Sequence, residues 1–167
     1  IMFSSAEHGK LMLCYESFDL IEVTELVIAR YTGLTPNRNL HISLDSQQDI
    51  ITIKADRNKI VWVINQFVDN AVKFSNGLAT VSIRLNVVGD HALVAIEDDG
   101  AGMTKTQVED AFQPFHQLDG KANRTHGGTG IGLALARRII EAHGSEIKVQ
   151  TAPGQGCCFQ FKLPLLQ

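Results

Sequence analysis

Residues 56–75, DRNKIVWVINQFVDNAVKFS, are the longest periodic stretch of the chain, with apolar side chains at 60, 63, 64, 67, 68, 71 and 74. That spacing puts all seven on one face of an α-helix, and so wide a face has to be covered by a second layer. Asp56 stands where an N-cap is needed. The rest of the chain supplies strands for that layer. LHISLDS and DIITIKA read as short alternating strands joined by a polar turn, and ATVSIRLNVVGDHALVAIED reads as two strands turning at Gly89 and Asp90. EIKVQTA and CCFQFKLPL make a closing hairpin around PGQG. DLIEVTELVIARYTGL is a further amphipathic helix, with Asp19 as its N-cap and Gly33 just past its end. The pattern predicts an α+β fold, a two-layer α/β sandwich with strands paired largely to sequence neighbours and helices gathered on one face.

Composition bounds what such a sandwich does. With 167 residues, 44% of them hydrophobic, the chain can bury one core. A net charge of −3 with scattered cations gives no basic field, so no nucleic-acid partner is expected. No apolar run approaches a membrane-spanning length, and the chain, beginning at Ile1, reads as a piece of a longer protein. Cys14, Cys157 and Cys158 form no C-x-x-C pair and the six histidines show no metal-ligand spacing, so no His or Cys metal site is expected. In a strand, Cys157 and Cys158 point to opposite faces, which favours packing over redox chemistry.

Three features lie outside this scaffold logic. THGGTGIGLALARRIIEAHG, residues 125–144, runs from a cluster of glycines straight into a helix. Glycines let backbone approach a ligand, and a helix N-terminus offers free N–H groups to an anion. On glycines alone a flexible loop before a capped helix is an equal alternative. The spacing from Gly127 to Gly132 fits a P-loop, but Leu133 and Ala134 stand where Lys and Ser or Thr are required, and the dinucleotide fingerprint fails as well. Second, Gln66, Asn70 and Lys73 form a stripe at i, i+4 and i+7 along the flank of the long helix. Such a stripe is usually a solvated face, yet an amide oxygen and an ammonium one turn apart can also serve Mg²⁺ and phosphates. Third, IEDDGAGM carries a strand into Asp98, Asp99, Gly100, Ala101 and Gly102. This is an Asp-Gly turn or a place where an ionised Asp98 accepts a hydrogen bond from an exocyclic amine such as adenine's. Leading from the third of these regions into the first, residues 113–129 form an aperiodic segment longer than an ordinary connection.

Taken in order, DNAVKFS, DDGAGM, FQPF, GGTGIGLA and PGQG resemble the N, G1, F, G2 and G3 boxes of the ATP-binding catalytic domain of sensor histidine kinases. The resemblance covers nearly all of the chain and implies the Bergerat fold, a left-handed βαβ-rich sandwich shared with gyrase, Hsp90 and MutL type ATPases. It implies a mixed, mostly antiparallel sheet and a flexible ATP lid at 113–129. It assigns residues 1–12 to the end of a dimerisation helix and its linker, and 13–167 to the catalytic domain. By the same resemblance, Asn70 would hold Mg²⁺ through its side-chain oxygen and Lys73 would contact phosphates. Asp98 would read the adenine amine, with Gly100 and Gly102 admitting the ring and Phe74 and Met103 beside the nucleotide. Phe112 and Phe115 would anchor the lid, and Lys121 and Arg124 would supply lid cations. Gly128, Thr129, Gly130 and Gly132 would line the phosphates, with Ile131 and Leu133 packing at the helix start.

Two positions depart from the family pattern. Asn usually stands four residues before the Mg²⁺ ligand, and here it is Gln66; Ser or Thr usually follows the last glycine box, and here Cys157 and Cys158 do. The ATPase branch has a glutamate at position 66's place to activate water, and a neutral amide cannot take that proton. The resemblance therefore implies phosphoryl transfer from ATP to a histidine, with Gln66, Asn70 and Lys73 as the catalytic stripe. None of the six histidines resembles a phosphoacceptor box, so the acceptor is expected on the protein's own dimerisation domain, outside this chain. The implied partners are that domain in a full-length homodimer and a response regulator receiver domain, and the implied location is cytoplasmic, with a parent that is either soluble or membrane-anchored. A non-catalytic nucleotide-sensing module of the same fold and an ATP-driven clamp are the alternatives.

Overall fold

The computed structural model describes residues 10–34, 40–75, 77–114 and 132–167. Within them the order is β1 (Glu16–Asp19), α1 (Leu20–Leu34), β2 (Leu40–Ser46), β3 (Thr52–Ala55), α2 (Arg57–Lys73), β4 (Ala79–Val88), β5 (His91–Asp98), α3 (Lys105–Ala111), α4 (Gly132–Ala142), β6 (Lys148–Thr151) and β7 (Cys157–Pro164). Five strands form one sheet in the order β2-β4-β5-β7-β6, and β1 pairs with β3 in a separate two-stranded ribbon. The β2–β4 pair is parallel and the other pairs are antiparallel.

The strands follow their alternation. Ala79, Val81, Ile83 and Leu85 of β4, Ala92, Val94 and Ile96 of β5, and Phe159, Phe161 and Leu163 of β7 are buried. On the other face of the sheet, Arg84 and Glu97 form an exposed ion pair at 2.8 Å. The helices cover the first face, which makes the predicted two-layer sandwich. At its centre Phe67 of α2 stacks on Phe159, ring centroids 4.6 Å apart, and also meets Phe161 at 6.2 Å.

Local signals set the helix ends. Asp56 caps α2 by accepting the Lys59 N–H at 3.2 Å, and its other oxygen takes the Cys14 N–H at 2.9 Å and the Lys59 ammonium at 3.0 Å. Asp19 accepts the N–H groups of Ile21 and Ile51, each at 3.0 Å, so a single carboxylate starts α1 and holds the approach to β3. His143, just past α4, accepts the Asp56 N–H at 3.0 Å and so ties the end of α4 to the start of α2.

Three expectations are corrected. LHISLDS and DIITIKA do not pair with each other: β2 runs parallel to β4, while β3 pairs with β1. Alternation specifies a strand's two faces but not its neighbour, and the α2 crossover is long enough to return the chain parallel. Gly33 lies inside α1, which ends at Leu34. Phe74 follows the apolar period of α2, yet it is the C-cap residue and is 39% exposed, because the helix ends before its ring can turn under the core. Among the described residues no helix is long and apolar enough to cross a membrane.

Candidate active site

The C-terminal half of α2, the exit of β5, the β6–β7 turn and the start of α4 meet at one edge of the sandwich. Packing explains why α2 presents a polar flank there. Its buried line of Ile60, Val63, Ile64, Phe67, Val68 and Ala71 faces the sheet, and Gln66, Asn70 and Lys73 follow at the border, half-buried. Asn65 points elsewhere, its side chain donating to the Val61 carbonyl at 3.0 Å while its own carbonyl receives the Tyr31 hydroxyl at 3.1 Å.

The Asn70 side-chain amide has no hydrogen-bond partner among the described residues. A half-buried amide oxygen left unused by the described residues is a neutral, hard donor, and it fits Mg²⁺, which keeps most of its waters and shares oxygens with phosphates. Lys73 is ion-paired to Asp69, one turn back, at 2.9 Å. Both partners are partly exposed, and such i, i+4 pairs are worth only about 0.3–0.5 kcal/mol, so the ammonium is readily exchanged to a stronger anion. Gln66 reaches toward α4: a side chain placed on Gly132, the first residue of that helix, would collide with Gln66 Oε1. Leu133 packs against the core as expected.

Asp98 ends β5 opposite Val81 of β4 and Cys157 of β7. Its carboxylate accepts the Gly100 N–H at 2.8 Å and a backbone hydrogen bond from Cys157. Burial raises its pKa, these two N–H groups oppose the rise, and the neighbouring charges of Asp99 and Glu97 add to it. A carboxylate offers about four acceptor positions, so two remain for an outward donor. Asp99 faces away and accepts the Thr80 N–H at 3.1 Å.

The glycines of this loop serve backbone packing. A Cβ at Gly100 would lie 2.9 Å from Asp98 Oδ1 and 3.1 Å from the Phe74 carbonyl oxygen, so the loop rests on the end of α2. Gly102, expected to admit a ring, has φ +71°, and the space its side chain would take is filled by the Ala152 carbonyl. Gly156, φ +69°, presses in the same way on the Asp98 carbonyl. Met103, expected beside the nucleotide, is 9% exposed and joins the core, its N–H donating to the Thr151 hydroxyl at 2.9 Å. Sequence reasoning missed Thr151 and the locking role of Gly156; the PGQG turn was the one signal pointing there.

Phe112, expected to anchor the lid, stands at the end of α3. It is buried at the C-cap of α3, meets Phe159 edge-on at 6.3 Å, and carries the Arg137 guanidinium 5.4 Å above its ring. Phe115, Lys121, Arg124, Gly127, Gly128, Thr129, Gly130 and Ile131 lie outside the described residues, as do residues 1–9.

Comparison with known proteins agrees with this geometry. A family model for histidine kinase-, DNA gyrase B- and HSP90-like ATPases matches residues 55–167. The circadian input-output histidine kinase CikA of Synechococcus elongatus is 31% identical over 163 residues, covering 96% of this chain and 22% of CikA. The Acinetobacter baumannii histidine kinase AdeS superposes with a TM-score of 0.76 at 27% identity, over 99% of this chain and 75% of AdeS. Full-length ShkA, solved in complex with AMPPNP, superposes with a TM-score of 0.80 at 23% identity, over 93% of this chain and 32% of ShkA, a likeness of fold. The chain thus spans about a fifth of the length of CikA, and the matched segment begins at the cap of α2 and takes in every element that frames the site. With its polar α2 flank, carboxylate-ended β5 and glycine-bearing α4 start in that family's order, the chain belongs to the histidine kinase-, DNA gyrase B- and HSP90-like ATPases.

Proposed function

We propose that this chain is the catalytic ATP-binding domain of a two-component sensor histidine kinase, residues 13–167, with residues 1–12 joining it to a dimerisation domain. The observation that carries the reading is the convergence, at one edge beside the start of α4, of an Asn70 amide without a partner among the described residues and a half-buried, partly desolvated Asp98. Asp98 accepts the adenine amine, a bond that guanine, with a carbonyl at that position, cannot supply. Asn70 holds Mg²⁺, which when bound neutralises the charge of the phosphate oxygens. Lys73 leaves Asp69 for the phosphates, joined by Lys121 and Arg124 and by the backbone N–H groups of the 128–132 segment.

Gln66 supports transfer over hydrolysis. An amide has no basic lone pair at neutral pH and cannot activate water. The γ-phosphoryl group is passed instead to a neutral imidazole of the parent's dimerisation domain, and from there to a response regulator receiver domain. The domain works on the cytoplasmic side, where ATP is available. Calorimetry with Mg-ATP tests the site: Asn70→Asp and Asp98→Asn each weaken binding, and GTP binds less tightly than ATP. Wild-type affinity in both variants refutes the assignment. Adding the parent's dimerisation domain tests the chemistry, with acid-labile phosphate on its histidine as the expected product.

A further inference from the structure

We propose that Thr151, the last residue of β6, is a positioning residue for the adenine subsite, acting through Asp98 without touching nucleotide. This rests on the adenine reading given above. A threonine hydroxyl has one proton to give and two lone pairs. At Thr151 all are engaged: the hydroxyl donates to the Gly156 carbonyl at 2.6 Å, accepts the Met103 N–H at 2.9 Å, and lies 3.2 Å from Cys157 Sγ.

Those partners bracket the loop that carries the site. Met103 ends the segment that Asp98 begins. Gly156 immediately precedes β7 and Cys157 starts it, and Cys157 gives its N–H to the Asp98 carboxylate. One hydroxyl therefore fixes both the far end of the 98–103 loop and the strand end on which the Asp98 carboxylate leans. A second tie, from the Gly154 N–H to the Ala101 carbonyl at 2.6 Å, joins the same loop to the same turn. The glycine backbones at 102 and 156 allow the two segments to come close enough for these bonds. Without the hydroxyl the Met103 N–H and Gly156 carbonyl lose their shared partner. The turn then relaxes and the carboxylate loses its aim at the amine.

The test is ADP calorimetry on the folded chain, which isolates adenine recognition from the γ-phosphate, with thermal unfolding run alongside to establish that each variant is folded at the assay temperature. Thr151→Val is expected to weaken ADP binding roughly five- to tenfold, the effect of one misaligned hydrogen bond. Thr151→Ser keeps the hydroxyl and stays within about twofold of wild type. Thr151→Cys, with a weaker donor in the same place, falls between, and serves if the valine variant does not fold. In an Asp98→Asn background the Thr151 substitutions cause no further loss, although their effect on thermal stability persists. Wild-type affinity in Thr151→Val, or the same fold loss with and without Asp98, overturns the proposal while leaving the adenine site standing. Unchanged ADP binding in Asp98→Asn overturns the adenine reading itself.

Discussion

Gly154 and Gly156 share one turn and nearly the same left-handed backbone, with φ +78° and +69°, yet alanine should affect them differently. An L-residue in that region costs about 1–2 kcal/mol. Part is offset because alanine has less unfolded-state freedom to lose, worth about 0.4–1 kcal/mol. At Gly154 nothing lies within 4 Å of the added methyl, so Gly154→Ala should cost about 1 kcal/mol or less. At Gly156 the methyl would overlap the Asp98 carbonyl oxygen and press on Asp99 Cα, 3.1 Å away. These are backbone atoms, and no rotamer change relieves the overlap. The turn must shift, loosening the Thr151–Gly156 and Gly154–Ala101 hydrogen bonds, both 2.6 Å long. At about 1 kcal/mol net for each bond, the total for Gly156→Ala approaches ~3 kcal/mol. For a chain of this size each kcal/mol moves Tm by about 2–4 °C, so Gly156→Ala should lower it by roughly 6–12 °C and Gly154→Ala by about 4 °C at most. Differential scanning calorimetry of the two variants decides the matter. Equal Tm losses would show that the backbone angle alone sets the cost, and the lock between the β5 exit and the hairpin would have no energetic standing.

The remaining predictions concern single side chains. The folded-state pKa of Asp98 is raised above 3.8, so its contribution is most favourable below that pH and is lost as pH rises through the raised value. Asp98→Asn should therefore gain Tm over wild type as pH goes from acid to neutral in the absence of nucleotide; a pH-independent difference contradicts the assigned cause. Gln66→Glu places a carboxylate at the start of α4 and a base by the phosphates, so phosphate release at saturating Mg-ATP should rise toward the ~10²- to 10⁴-fold typical of general bases. No rise at full occupancy means residue 66 does not face the attacking water. Phe67, 1% exposed and stacked on Phe159, should cost about 3–5 kcal/mol as alanine, read as a lower urea midpoint with unchanged slope.

Much of this molecule is written in local patterns. Asp56, Asp19 and the capping box of Thr104 and Gln107 start helices through bonds to residues two or three positions away, which a sequence displays directly. The apolar period of α2 identifies six buried residues, and the strand end at Asp98 and the turns at Gly89 and Gly154 follow from alternation and punctuation. The stripe of Gln66, Asn70 and Lys73 is legible because helical geometry converts spacing into a common flank. Tertiary structure decided what spacing cannot encode. The neighbours of β2 and β3 depend on which sheet edges the folded helices leave available, and the exposure of Phe74 depends on where α2 stops against the Gly100 loop. Thr151 looks like any strand residue until Met103, 48 positions earlier, is brought to its hydroxyl. Asp98 carries its raised pKa chiefly because the folded chain buries it, with the charges of Asp99 and Glu97 adding to the rise. Hydrogen bonds and desolvation between distant segments are properties of the packed chain, and no local pattern carries them.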